Sequence, residues 1–205
     1  MRVIQDIYEK KNIQSLPRAL FDGRIIVVFT EDEARKAVDY LLKQTILGFD
    51  TETRPSFKRG YTHQVALLQV ATHDTCFLFR LNRIGLTDSI IQLLEDQGVT
   101  KVGLSLQDDF RMLNLRRTFT PGIFIELQKE VKDIGIKDLS LQKIYANLFG
   151  EKIAKNQQLS NWEADSLTEA QQRYAATDAW ACIKIHEAIA QMKIDKDFIL
   201  EIHSN

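Results

Sequence analysis

The stretch Thr45-Ile-Leu-Gly-Phe-Asp-Thr-Glu52 carries two messages. Its first half is β-branched and apolar, the composition of a strand. Its end holds two acids, which strands disfavour. Asp50 and Glu52 are two residues apart, so strand alternation puts both carboxylates on one face. Side by side on a half-buried face they repel each other. The pair fits either a polar loop just past the strand end or two hard oxygen ligands for Mg²⁺ or Mn²⁺.

The flanking sequence supplies the rest of a sheet. Upstream, Arg24-Ile-Ile-Val-Val-Phe29 reads as a strand. Thr30 and Glu33 then fit a capping box, followed by Ala34, Ala37, Val38, Leu41 and Leu42 at helical spacing. Downstream, Gln64–Ala71 and Thr75–Phe79 read as two strands turning at His73 and Asp74. Further on the period changes. Residues 87–97 read as a helix, Lys101–Leu104 as a strand, 108–116 as a helix and Ile123–Leu127 as a fifth core strand. Asp138 is placed to cap a helix with the stripe Leu141, Ile144, Tyr145 and Leu148, ended by Gly150. Thr168 and Gln171 form a second capping box, opening a long helix to about Met192. Strands come first and alternate with helices later. That order predicts an α/β fold, a mixed sheet flanked by helices on both faces.

At 205 residues the chain fits one domain with a modest extension. The expected division is an N-terminal extension over 1–22, able to pack as a helix, a domain over 23–195, and a C-terminal tail over 196–205. Lys plus Arg number 27 against 28 Asp plus Glu, a net charge of −1. Bulk basicity is therefore excluded as a way of binding nucleic acid, and any phosphate-binding surface must be local. Two cysteines, Cys76 and Cys182, exclude a disulfide framework and a Cys-based zinc site. The start, MRVIQDIYEKK, has no apolar core of signal-peptide length, and no apolar run approaches the roughly 18 residues of a membrane span. The expectation is a reduced, cytoplasmic protein with no membrane partner.

Two further acidic positions stand out. The inward stripe of the long helix runs Tyr174, Asp178, Ala181, Ile185, Ala188 or Ile189, and Met192. Asp178 thus sits on the apolar face one turn after Tyr174. A lone buried carboxylate costs several kcal/mol, roughly, unless it is paired or meets a cation. Asp108 and Asp109 follow the strand Lys101–Leu104. They suit a helix N-terminus, where acids favour the dipole, and they also fall where an α/β sheet places its sites.

Together these segments resemble a known family. Gly48-Phe-Asp-Thr-Glu-Thr53 is similar to the first motif of the DEDD 3′–5′ exonucleases, in which Asp-x-Glu binds metal. Lys101-Val-Gly-Leu-Ser-Leu-Gln-Asp-Asp-Phe-Arg-Met-Leu113 resembles the second. Tyr174-Ala-Ala-Thr-Asp178 resembles the third, in the Tyr-x-x-x-Asp form of the DEDDy branch. Ribonuclease D and the Werner exonuclease domain are the members most alike, over residues 24–192. The resemblance implies a ribonuclease H-like fold with a mixed five-stranded sheet, three antiparallel strands and then parallel ones. It implies two divalent ions, Mg²⁺ or Mn²⁺, held by Asp50, Glu52 and Asp178, with Asp109 completing the site. The second motif offers two aspartates; Asp109, followed four residues later by Leu113, fits the family pattern better than Asp108. Tyr174 would orient the attacking water. The implied activity is hydrolysis from a single-stranded 3′ end of DNA or RNA, releasing nucleoside 5′-monophosphates. A catalytically silent nucleic-acid-binding module with the same fold is the alternative, and the presence of all five residues argues against it.

The first motif runs directly into Thr53–Gln64, which contains Arg54, Lys58 and Arg59 and no acid. This segment fits a solvated loop or a contact to backbone phosphates, with Phe57 or Tyr61 available to stack on bases. Arg111 is a further candidate for nucleic-acid binding. Arg116, Arg117, Lys152, Lys155 and Arg173 are further candidates, most of which read as surface; Trp162 reads as a packing anchor, and none of the four histidines has metal-ligand spacing.

Overall fold

The computed structural model describes residues 2–203. The chain runs β1 (Arg2–Gln5), α1 (Lys10–Ile13), β2 (Arg24–Val28), α2 (Glu31–Leu41), β3 (Ile46–Thr53), β4 (Val65–Ala71), β5 (Thr75–Phe79), α3 (Leu81–Ile84), α4 (Asp88–Glu95), β6 (Thr100–Gly103), α5 (Leu106–Asn114), β7 (Phe124–Glu126), α6 (Leu127–Asp133), α7 (Leu141–Phe149), α8 (Glu169–Asp195) and β8 (Phe198–Glu201). Among the described residues no helix is long and apolar enough to cross a membrane.

One sheet has the order β2-β5-β4-β3-β6-β7. β3, β4 and β5 form an antiparallel meander, and β6 and β7 add parallel strands beyond β3. This is the mixed sheet expected, with β2 as a sixth strand lying parallel to β5 at the edge. Pleating sends Leu47, Phe49, Leu68, Val70, Phe77 and Phe79 into a core under α2, α4 and α5. The other face packs Leu67, Ala71, Cys76 and Leu78 against Ala175, Ala176 and Ala179 of α8.

Both capping boxes form, at Thr30 with Glu33 and at Thr168 with Gln171. α7 is capped by Ser140 rather than Asp138, whose carboxylate instead accepts the Tyr8 N–H and the Lys143 ammonium. The helix stops at Gly150, which takes the left-handed conformation that glycine adopts without a steric cost.

The two ends of the chain correct the expectation of a helical extension. β1 pairs in parallel with β8, forming a separate two-stranded sheet. Asp6 closes it: its carboxylate accepts the His203 N–H and the Lys137 ammonium, each at 2.7 Å. Only the single turn α1 is helical in residues 2–22. Strand pairing across nearly two hundred residues leaves no local signal at either end. Residues 17–21 then cross beside α8. Pro17 and Ala19 exchange backbone hydrogen bonds with Lys152, and the Phe21 N–H donates to Thr177 Oγ1 on α8.

Candidate active site

β3 lies mid-sheet, with an antiparallel neighbour on one side and a parallel one on the other. Clefts of open α/β sheets form at such reversals. Its last turn of pleat presents Asp50 and Glu52 toward α8. Gly48 permits the contact. A Cβ there would fall 1.9 Å from the Ala179 carbonyl oxygen, so only glycine lets α8 lie this close to β3. Asp178, adjacent to Ala179, thereby meets the strand. One carboxylate oxygen each from Asp50, Glu52 and Asp178 lie within 4.8 Å of one another. Beyond Glu52 the β3–β4 register shifts, a bulge that ends regular pairing beside these acids.

Thr51, between the two acids, points to the opposite face. Its hydroxyl donates to Asp109 Oδ1 in the first turn of α5. Asp109 is thus drawn in beside Asp50. Asp108 is not: its side chain is 76% exposed and pairs with Arg111 at 3.0 Å. Helical geometry separates the two, since adjacent residues point about 100° apart at 3.6 residues per turn.

The electrostatics are those of a site in which the carboxylates outnumber the nearby positive charge of Lys155. Burial, then the neighbouring Asp178 carboxylate, pushes Asp50 far above the ordinary carboxylate range. Glu52 and Asp109 are raised for the same reasons, burial first and Asp50 second. Asp178 is only 6% exposed and burial raises it to about 7, against the lowering influence of Tyr174 and Lys155. Its Oδ1 is buried with no hydrogen-bond partner. Three close carboxylates, Asp50, Glu52 and Asp178, one with an orphaned oxygen, are a hard-oxygen donor set that fits divalent cations such as Mg²⁺ or Mn²⁺, while Asp109 stands beside this cluster, bonded to Thr51, and not within it. Tyr174 is half-buried over Trp162, ring centroids 6.0 Å apart. Burial, then Asp178 and Glu52, drives its phenol further above the usual tyrosine range, so it stays protonated.

Asp50, Glu52 and Asp178, but not Asp109, line a cleft of about 290 Å³ whose other walls include Ser140, Gln142, Lys155, Gln158 and Tyr174. Among the described residues Lys155 is the single cationic side chain on that wall.

A model of the 3′–5′ exonuclease family matches residues 25–193. The chain belongs to this family. Over 157 residues, 72% of its length, the chain is 29% identical to the bifunctional 3′–5′ exonuclease/ATP-dependent helicase WRN of Mus musculus. Over 159 residues, 75% of its length, it is 32% identical to the exonuclease 3′–5′ domain-containing protein 2 of Drosophila melanogaster. It spans 11% of the mouse protein and 27% of the fly protein. The solved exonuclease domain of Aedes aegypti Nibbler superposes with a TM-score of 0.78 at 20% identity, covering 89% of this chain and 94% of that one, which establishes the common fold.

The basic residues are distributed less tightly than the acids. Arg54 is engaged by Glu163 at 3.2 Å, an acid that also holds His63 at 2.8 Å. Arg111 is tied to Asp108 on the outer side of α5. Lys58 and Arg59 are exposed, and beside them Phe57 is 90% exposed. This loop and Leu159–Asn161 form a second groove. Arg116, Arg117, Lys152 and Arg173 are occupied with Val65 O, Asp88, Gln14 O and Glu169. Trp162 is fully buried, as a packing anchor should be. Sequence reasoning did not single out Thr51 or Gln158, and named Lys155 only as one of several further cationic candidates. Thr51 was recoverable from strand alternation; Lys155 and Gln158 lie in an irregular segment with no period.

Proposed function

We propose that this exonuclease is an active, metal-dependent enzyme that removes nucleotides from a single-stranded 3′ end and releases nucleoside 5′-monophosphates by a two-metal mechanism. The observation that carries this reading is the cluster of half-buried Asp50 and Glu52 with buried Asp178, three carboxylates facing one cation, Lys155, among the described residues of the cleft. Acids so placed repel unless positive charge joins them.

Asp50, Glu52 and Asp178 would hold the ions, and Asp109, fixed by the Thr51 hydroxyl, would complete the set. Bound there, the ions would acidify a water and offset charge growing on the leaving 3′ oxygen. Tyr174 keeps its proton at neutral pH, which argues against a role as general base. Its hydroxyl instead orients the attacking water across Asp178. Lys155 stands on the cleft wall to meet a non-bridging phosphate oxygen.

The upstream strand would leave along the groove beside the 54–63 loop. Lys58 and Arg59 meet its phosphates and Phe57 offers a stacking face. The ion pairs of Arg54 and Arg111 are partly exposed, where such pairs are worth about 0–1 kcal/mol, so phosphate can displace either carboxylate.

Degradation of 5′-end-labelled single-stranded DNA and RNA, with Mg²⁺, Mn²⁺ or EDTA, tests this. Metal-dependent ladders shortened from the 3′ end with mononucleotide products support it. Turnover in EDTA, or binding without cleavage under every condition, rejects it. Comparison of the two labelled polymers also assigns the sugar preference.

A further inference from the structure

Glu126 is a carboxylate at the edge of this site whose oxygens are already taken. It ends β7, opposite Gly103 of β6, and stands as the N-cap of α6. Oε1 accepts the N–H groups of Ser105 and Gln128, each at 3.0 Å, and Oε2 accepts that of Leu106 at 2.8 Å. Ser105 opens α5 in the left-handed region, φ 64° and ψ 35°, and its own side chain caps nothing. That conformation is unfavourable for a residue with a Cβ, and the first N–H groups of a helix have no partner within it. The turn is also tight, since a Cβ on Gly103 would lie 2.5 Å from Leu106 Cδ2 and 3.0 Å from Phe49 O. Gln128 Nε2 donates to Ser105 Oγ and holds the same turn from a second point. Asp109 follows in the first turn of α5.

We infer that Glu126 is a positioning residue: it provides from β7 the cap that α5 lacks, locks Ser105 left-handed, and so sets where the Asp109 carboxylate stands relative to Asp50. The inference rests on the reading of Asp109 as part of the metal centre. Glu126 is not itself a ligand in this arrangement. Both oxygens accept backbone N–H groups, three in all, which turns the carboxylate toward the α5 and α6 N-termini. Metal and transition-state geometry tolerate about 0.5 Å of misplacement, so a loosened turn should weaken metal binding and turnover while leaving nucleic-acid affinity alone.

Glu126→Gln is the test. The variant keeps the shape, but its amide group must face an N–H donor, so at least one of the three bonds is lost. Mn²⁺ is titrated against the melting temperature, and kcat and KM are measured on a labelled single-stranded oligonucleotide. Each is done in wild type, Glu126→Gln, Asp109→Asn and the double variant. The expected results are a kcat about tenfold or more lower with KM held within about twofold, and about tenfold more Mn²⁺ needed for half the melting shift. Asp109→Asn is expected to abolish cleavage, so in that background the Mn²⁺ titration is the readout, and Glu126→Gln should shift it no further. An equal loss in both backgrounds overturns the inference, as does a lower melting temperature in EDTA with kcat and the Mn²⁺ titration unchanged. Wild-type turnover by Asp109→Asn would instead remove Asp109 from the metal centre, and the role of Glu126 with it. If Glu126→Gln does not fold, Glu126→Asp replaces it. The shorter side chain keeps its charge but is one methylene short of Ser105 and Leu106, and it should show the same pattern. Wild-type behaviour of Glu126→Asp would leave only an effect of charge and overturn the positioning role.

Discussion

Asp178→Asn should make the metal-free protein more stable while abolishing its activity. The side chain is 6% exposed, and burial holds its pKa near 7 against an ordinary value of 3.8. A pKa raised in the folded state favours folding fully below the unfolded value. That advantage is lost as pH rises toward the folded value. Each unit is worth about 1.4 kcal/mol, so by pH 8 the native protein carries an ionisation cost of about 4 kcal/mol, falling to about 2 at pH 5. An amide of the same shape carries neither. For a domain of this size one kcal/mol moves the melting temperature by about 2–4 °C, so the variant should melt about 10 °C higher at pH 8 in EDTA and gain less than about half that at pH 5. Saturating Mn²⁺ should reverse the order, since wild type gains stability by linkage and Asp178→Asn loses a ligand. Melting by circular dichroism at both pH values, with EDTA and with Mn²⁺, reads all four conditions. A gain that is absent at pH 8, or equal at the two pH values, would refute the idea that uncompensated charge at Asp178 strains the metal-free site.

Tyr174→Phe should keep the fold and the Mn²⁺-dependent melting shift but lose about 10²–10³ in kcat with KM little changed, as for one transition-state hydrogen bond; a normal rate would remove its hydroxyl from the reaction. Asp109→Asn should abolish cleavage whereas Asp108→Asn, at an exposed position, should retain most of it, and single-turnover rates for the two would contradict this if their order were reversed. Lys58→Ala with Arg59→Ala should weaken binding and reduce the log–log salt slope by about 0.7 per lost contact; titration by fluorescence anisotropy at several salt concentrations would count against the loop if the slope did not change.

The sequence alone carried the strand at 45–52, the β4–β5 hairpin, both capping boxes and the buried stripe of the last helix. Each rests on contacts between near neighbours, or on a period of two or 3.6 residues, so each is written locally. The acids at 50, 52 and 178 were legible for the same reason: each is a charged residue on a face that its own period marks as apolar. The spacing to Leu113 already favoured Asp109 over Asp108, but only tertiary structure supplied what holds it inward, the Thr51 hydroxyl and a left-handed Ser105 capped by Glu126, more than fifteen residues away. Tertiary structure alone brought Lys155 and Gln158 to the cleft, since their segment is irregular and is held by Lys152 against Pro17 and Ala19. Pairing of β1 with β8 likewise depends on residues at opposite ends of the chain. Gly48 joins the two levels. The sequence displays a glycine in a strand, but only the packed structure supplies the physical reason for it, the approach of the α8 backbone that brings Asp178 against Asp50 and Glu52.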